Sequence, residues 1–313
     1  MEETENQIVN FTYRGEDPAI IPQNATHVRV HNSITVIPER AFYQHPNIVE
    51  FICHDGVERI KSDAFSECPR LTRIVAQGLK VMESSALIRC RSLKFVECDK
   101  LEILEQLAIG HCISLMIVEL PSLKVAEQCA FIHCSALSSV YFGESLERLG
   151  GSMFYGCKNL LSVSIPLKQG LINQGRVFQE CKRFMNVDFV EWEPMREAIN
   201  ALLIEEWSYE IYEEMNSLNQ ILRRAQPGIC WSLGPHARDE EGEKAEVVQG
   251  GIRIILGKIR HYKDQHLKLV GEATSRLQSV LPNDIVMNSV APFLELPSHR
   301  IFEEEDSMFD EEE

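Results

Sequence analysis

The feature that most constrains this chain is a motif that returns seven times. Aligned on a small-apolar pair, the copies are AFYQHPNI (41–48), AFSECPRL (64–71), ALIRCRSL (86–93), AIGHCISL (108–115), AFIHCSAL (130–137), MFYGCKNL (153–160) and VFQECKRF (177–184). Their starts lie 23, 22, 22, 22, 23 and 24 residues apart. A period of this length marks one supersecondary unit that cannot bury its own apolar face, so the chain must stack its units into an array.

Each copy runs on into an alternating segment such as LTRIVA, LKFVEC, LMIVEL or LSSVYF, with apolar residues at offsets 0, +3 and +5 from the leucine. That pattern reads as a bend and then a short strand. Its inward +5 column is Cys53, Ala76, Cys98, Leu120, Phe142, Ile165 and Phe189. A second short apolar segment (ITVI, VERI, LKVM, LEIL, LKVA, LERL) precedes each small-apolar pair. One coil therefore supplies two short strands and a turn or helical turn, and stacking puts equivalent residues about 4.8 Å apart.

The repeat separates His133 from Cys134. The cysteine column, Cys68, Cys90, Cys112, Cys134, Cys157 and Cys181, hardly varies, whereas the column before it runs Gln44, Glu67, Arg89, His111, His133, Gly156, Glu180. Constancy along one chain marks an inward, size-limited position; variety that includes charge marks a surface. The thiols are expected to be structural, with raised pKa and little reactivity. No CxxC pair is present, so no metal site is expected, and His111 and His133 are expected to be surface neighbours on adjacent coils. No GxSxG, Walker A, HExxH or GxGxxG pattern occurs, so neither catalytic residues nor a cofactor is assigned.

The AFxxCxxL core followed by LxxVxI resembles the BspA-like class of leucine-rich repeats, over about residues 27–190. The class carries glycine before the cysteine, and only Gly156 keeps it; His45 replaces the first cysteine and Phe184 the last leucine, departures usual at the ends of a stack. Beyond Val190 the stripes Ile204, Trp207, Ile211, Met215, Leu218, Leu222 and Val248, Ile252, Ile255, Ile259, Tyr262, His266, Leu269, Ala273, Leu277, Val280 have helical spacing. The turn-rich AQPGICWSLGPHARDEEG between them makes an antiparallel hairpin the expected arrangement. MNSLNQIL, IRHYKDQHLKLVGEA and IVMNSVAPFLELP also resemble a C-terminal module of proteins from single-celled photosynthetic eukaryotes. The expected fold is an α/β repeat solenoid of seven coils of 22–24 residues, then an α-helical hairpin and an acidic tail. The divisions are an N-terminal cap (1–26), the solenoid (27–190), a helical module (191–300) and a disordered acidic tail (301–313).

The outward strand positions, +2 and +4, carry the functional expectation. At the centre of the array Phe95, Ile117 and Tyr141, with Val75 beside them, place apolar side chains on adjacent strands, and Glu97 and Glu119 lie at the rim. Contiguous exposed apolar area marks a contact surface for a protein partner, a basic one by complementarity, or for the chain's own helices folded back. On the second strand set Glu58, Lys80, Glu102, Lys124 and Glu147 alternate in sign, a ladder expected to support stacking.

Charge narrows the partners. The net charge is −16, with 22 acids against 19 bases up to residue 190 and 25 against 12 beyond it. Phosphate backbones and anionic lipid surfaces repel such a chain. No apolar run is long enough to span a membrane, and the acidic start MEETENQIVN does not read as an export signal, so a cytoplasmic or nuclear protein with reduced thiols is expected. EEEDSMFDEEE holds eight acids in eleven residues and places Ser307 in an acidophilic phosphorylation context. The function expected is a non-catalytic interaction scaffold; the alternative is a self-associating protein whose C-terminal helices pair between chains.

Overall fold

The computed structural model describes residues 8–172, 175–190, 196, 205–224 and 243–279. The repeat forms a β-solenoid of about seven coils, followed by two helices. Strands of the first face are β1 (Asn10–Tyr13), β2 (His27–Val30), β4 (Glu50–Ile52), β6 (Arg73–Val75), β8 (Phe95–Glu97), β10 (Ile117–Leu120), β12 (Ser139–Phe142), β14 (Ser162–Ile165) and β15 (Asn186–Phe189). The second face holds the two-residue strands β3 (Val36–Ile37), β5 (Arg59–Ile60), β7 (Val81–Met82), β9 (Ile103–Leu104), β11 (Val125–Ala126) and β13 (Arg148–Leu149). Every strand pairing is parallel, because each strand lies one full coil beyond its neighbour. The second sheet is continuous, whereas the first is interrupted: β8 and β10 lie side by side without a paired ladder.

The third side of each coil is a run of turns, and its backbone explains the motif. Two residues per coil adopt left-handed φ. One set is Arg40, Asp63, Ser85, Leu107, Cys129, Ser152 and Arg176; the other is the column before the cysteine, Gln44, Glu67, Arg89, His111, His133, Gly156 and Glu180. Their φ values run from 53° to 74°. This conformation costs a side-chain-bearing residue about 1–2 kcal/mol, which is why glycine suits it. The gain is directional. From Gln44 to Gly156 each residue of the second set turns its N–H along the stack and donates to a carbonyl of the next coil at 2.7–3.0 Å. The ladder of hydrogen bonds thus continues where no strand exists.

The cysteine beside it completes the turn. Each thiol donates to the carbonyl of the second motif residue one coil back: Cys68 to Phe42, Cys90 to Phe65, Cys112 to Leu87, Cys134 to Ile109, Cys157 to Phe131 and Cys181 to Phe154, at 3.0–3.3 Å. Several of these carbonyls, such as Phe65 and Phe131, also accept the N–H of their own coil's cysteine, so both lone pairs are used. A thiol is small enough for the buried position and still donates weakly. Inside the stack, Phe42 lies parallel to Phe65 at 5.2 Å, and Phe131, Phe154 and Phe178 stack at 5.8 Å; Leu87 and Ile109 fill the same column between these runs.

The ends depart from the repeat because each lacks a neighbour. At the N-terminal end Tyr13 packs edge-on to Phe42 at 5.0 Å. Buried His45, in the cysteine column, donates Nε2–H to the Pro22 carbonyl at 3.1 Å, reaching further than a thiol. Burial lowers its pKa, opposed in part by that bond.

After the solenoid come α1 (Glu205–Arg224) and α2 (Glu243–Gln278). Two compact units divide the chain: 1–190 with 219–249, and 191–218 with 250–313. The first therefore includes the end of α1 and the start of α2, which cap the last coil. The Asn219 side-chain amide donates to the Val187 carbonyl at 3.1 Å and accepts the Val187 N–H at 2.8 Å, pairing with β15 as another strand would. Lys244, buried, donates to the carbonyls of Cys181 at 2.7 Å and Phe184 at 3.4 Å, and Gln249 donates to that of Ile172. An uncovered strand edge is a template for aggregation, and side chains here occupy it. In the second unit α1 and α2 run antiparallel: Trp207 stacks on Tyr262 at 4.8 Å, Lys258 pairs with Glu214 at 3.0 Å, and Gly251 admits Leu218 closely. The expected inter-helix loop, the IVMNSVAPFLELP stretch and the acidic tail with Ser307 lie outside the described residues. No helix among the described residues is long and apolar enough to cross a membrane.

Candidate protein-binding face

Alternation turns every second residue of the first-face strands outward, and parallel register aligns these residues in two rows. One row runs His27, Glu50, Arg73, Phe95, then Ile117, Ser139, Ser162, Asn186. The other runs Arg29, Ile52, Val75, Glu97, then Glu119, Tyr141, Ser164, Asp188. Both cross the gap between β8 and β10, so Phe95 neighbours Ile117 and Glu97 neighbours Glu119 where the hydrogen-bonded ladder stops.

Large apolar groups are exposed here: Phe95 at 57%, Ile117 at 56% and Tyr141 at 40%, while Val75 is half-buried beside Glu97. Two further residues extend the patch, Met116 (57% exposed), just before β10, and Ile113 (45%), in the turn above it. The +2 and +4 positions did not include them, because the exposure of a bend residue depends on the bend.

The two carboxylates named for the rim differ. Glu97 is half-buried and accepts Arg73 Nε at 2.9 Å, and Arg73 also reaches Glu50 at 3.2 Å. Glu119 is exposed and pairs with no cation among the described residues. Asp188, at the far end of that row, accepts only from Asn186 Nδ2, at 2.7 Å, among the described residues. Between Tyr141 and Asp188 the floor drops to serines, with Ser139 and Ser162 hydroxyls 3.1 Å apart.

The other sequence-derived positions lie elsewhere. All six column cysteines are buried. Burial pushes the Cys134 thiol up to about 12 and those of Cys90, Cys112 and Cys157 well above their usual value, so they hold their protons at neutral pH. His111 and His133 lie on the turn side with ring centroids 5.0 Å apart, and His133 meets Tyr155 edge-on. Burial first, then neighbouring His133, Arg89 and Arg91, keeps the His111 imidazole below its usual pKa. Among the described residues no three His, Cys, Asp or Glu side chains converge as metal ligands. On the second face Lys80 meets Glu58 at 2.8 Å and Lys124 meets Glu102 at 2.7 Å.

The BspA type leucine rich repeat region, in six copies, matches residues 22–124 and 90–192. Among solved structures, a leucine rich repeat protein of T. pallidum is 26% identical, over 56% of this chain and 82% of that one, with a TM-score of 0.48. A leucine rich cell surface protein of Faecalibacterium prausnitzii is 20% identical over 58% and 50% of the two chains, with a TM-score of 0.46. The pneumococcal vaccine antigen PcpA is 18% identical over 57% and 54%, with a TM-score of 0.39. This chain thus spans about half the length of the latter two. No curated protein matches it. With the repeat match running over more than half of its residues, the chain belongs to the BspA-type leucine-rich repeat family.

Proposed function

We propose that this protein is a non-catalytic scaffold that binds a protein partner through the first face of its solenoid, centred on Phe95, Ile117 and Tyr141. The observation that carries this reading is the contiguous exposure of these three side chains across adjacent strands. Isolated exposed hydrophobes are ordinary, but clustered ones on a rigid sheet are typical of interfaces, whose binding energy concentrates in a few aromatic and aliphatic anchors. Buried free thiols agree with a reducing compartment such as cytoplasm or nucleus. The MNSLNQIL stretch reads as the mark of a capping module shared with the photosynthetic-eukaryote proteins it resembles; Asn219, inside it, supports the capping role alone.

Affinity capture with wild-type protein and the Phe95→Ala/Ile117→Ala variant tests the reading. The variant should lose proteins that the wild type recovers; identical recovery removes the face from consideration. A second reading, self-association through the helices, is favoured by exposed Leu267 and Leu269 on α2. Light scattering of the full chain over a concentration series separates the two, since a stable dimer unaffected by Phe95→Ala/Ile117→Ala supports the second.

A further inference from the structure

We infer that the partner segment docked on this face is basic: it carries an arginine or lysine that lies between the Tyr141 ring and the Glu119 carboxylate, beside a bulky apolar residue seated on Phe95 and Ile117. The inference rests on the proposed reading of this face and adds the chemistry of the occupant.

Three observations converge. First, Glu97 and Glu119 are row neighbours across the one gap in the first sheet, and like charges so placed repel. Arg73 balances Glu97 from one side, through Nε to Oε1. No cation among the described residues forms an ion pair with Glu119. Second, Tyr141 stands next to Glu119 in register and is 40% exposed, so its ring is open to a cation that also meets the carboxylate. Third, Asp188 ends the same row two strands beyond Tyr141, about 10 Å away at ordinary strand spacing, across a floor of serines. Asp188 is exposed and extends the acidic row toward a second basic residue.

The same charges disfavour other occupants. A second copy of this chain brings a net charge of −16, and its EEEDSMFDEEE end is the most acidic stretch of the sequence. Nucleic acids and anionic lipid surfaces are repelled for the same reason. An apolar segment without charge would leave the Glu119 carboxylate desolvated and unpaired, which is unfavourable.

The probe is a displayed library of random dodecapeptides, selected on the immobilised full-length protein. Recovered peptides should be enriched in Arg or Lys close to Leu, Phe, Trp or Met. Their synthetic counterparts should bind the Glu119→Gln/Asp188→Asn variant about tenfold or more weakly, with a shallower salt dependence. Glu97 is left in place because Arg73 relies on it. These exposed positions should leave the melting temperature within about 2 °C of wild type. Neutral or acidic peptides, no enrichment at all, or charge-neutralised protein that binds as tightly as wild type each overturn the inference. Should Phe95→Ala/Ile117→Ala abolish binding while the charge variant does not, the face stands and its basic specificity falls. When neither variant matters, the face falls as well. A full-length dimer lost in Phe95→Ala/Ile117→Ala assigns the face to a second copy and also overturns the inference.

Discussion

The two sheets are built by the same coils at the same period, yet they treat their outward side chains oppositely. On the second face, charges bind one coil to the next: Glu58 to Lys80, Glu102 to Lys124, Arg59 to Glu83, Arg148 to Glu127. On the first face such pairing ends at the Glu50–Arg73–Glu97 group, and from β8 onward Phe95, Ile117, Glu119 and Tyr141 are left in solvent. Inward columns are dictated by the stack, so outward columns are where the coils differ. One face uses that freedom for cohesion between coils; the other, around Phe95, Ile117 and Tyr141, leaves it exposed.

Several changes would break or sharpen this contrast. The largest effect is expected from Phe95→Ala/Ile117→Ala, which should weaken partner binding by about 2–4 kcal/mol while changing stability little. Equal losses of binding and stability, by titration calorimetry and thermal melting, would show that the first face is structural too. Next comes Asn219→Ala, which touches neither outward face. It removes both bonds to β15 and should destabilise the solenoid by about 1–3 kcal/mol in denaturant unfolding, leaving partner affinity intact.

Gly156→Ala examines the turn side between the faces. Its φ is 74°, and an added Cβ would lie 2.3 Å from His133 Nδ1, so a loss of about 1–2 kcal/mol is expected. A second substitution, His133→Ala, should restore only part, because the clash disappears and the left-handed backbone does not. Acid examines the N-terminal end. Burial depresses the folded-state pKa of His45, so the unfolded chain takes the proton first. Its contribution is full above about pH 6.5 and shrinks as pH falls below it. Melting temperatures measured from pH 7.5 to 5 should therefore drop less in His45→Asn than in wild type. The smallest effect belongs to Lys80→Glu. It reverses the pairing with Glu58, and a fall in melting temperature of about 1–2 °C with unchanged binding is expected. Weakened binding instead would move the interface to the second face.

The coil count, the inward columns and the rows of outward residues were legible because the repeat is an internal alignment. Seven copies of one position show which residues tolerate variation, and strand alternation converts that into a face. What stayed hidden had no period. The near-absence of glycine before the cysteine reads as a departure from the family, yet Glu67, Arg89, His111 and His133 adopt the glycine-like backbone regardless, because inter-coil hydrogen bonds hold them there. Glu97 reads as a free rim charge until Arg73 is placed one strand away. Nothing local marks Asn219 or Lys244, whose targets lie 32 and about 60 residues upstream.

By itself the sequence determined that this chain stacks, with what period, and which columns it buries. Those properties follow from local alternation and from the inability of one coil to exclude water alone. Tertiary structure decided how the stack ends, where its first sheet opens, and which carboxylates keep their charge free. Each depends on a pairing between residues that only the finished solenoid brings within hydrogen-bonding distance.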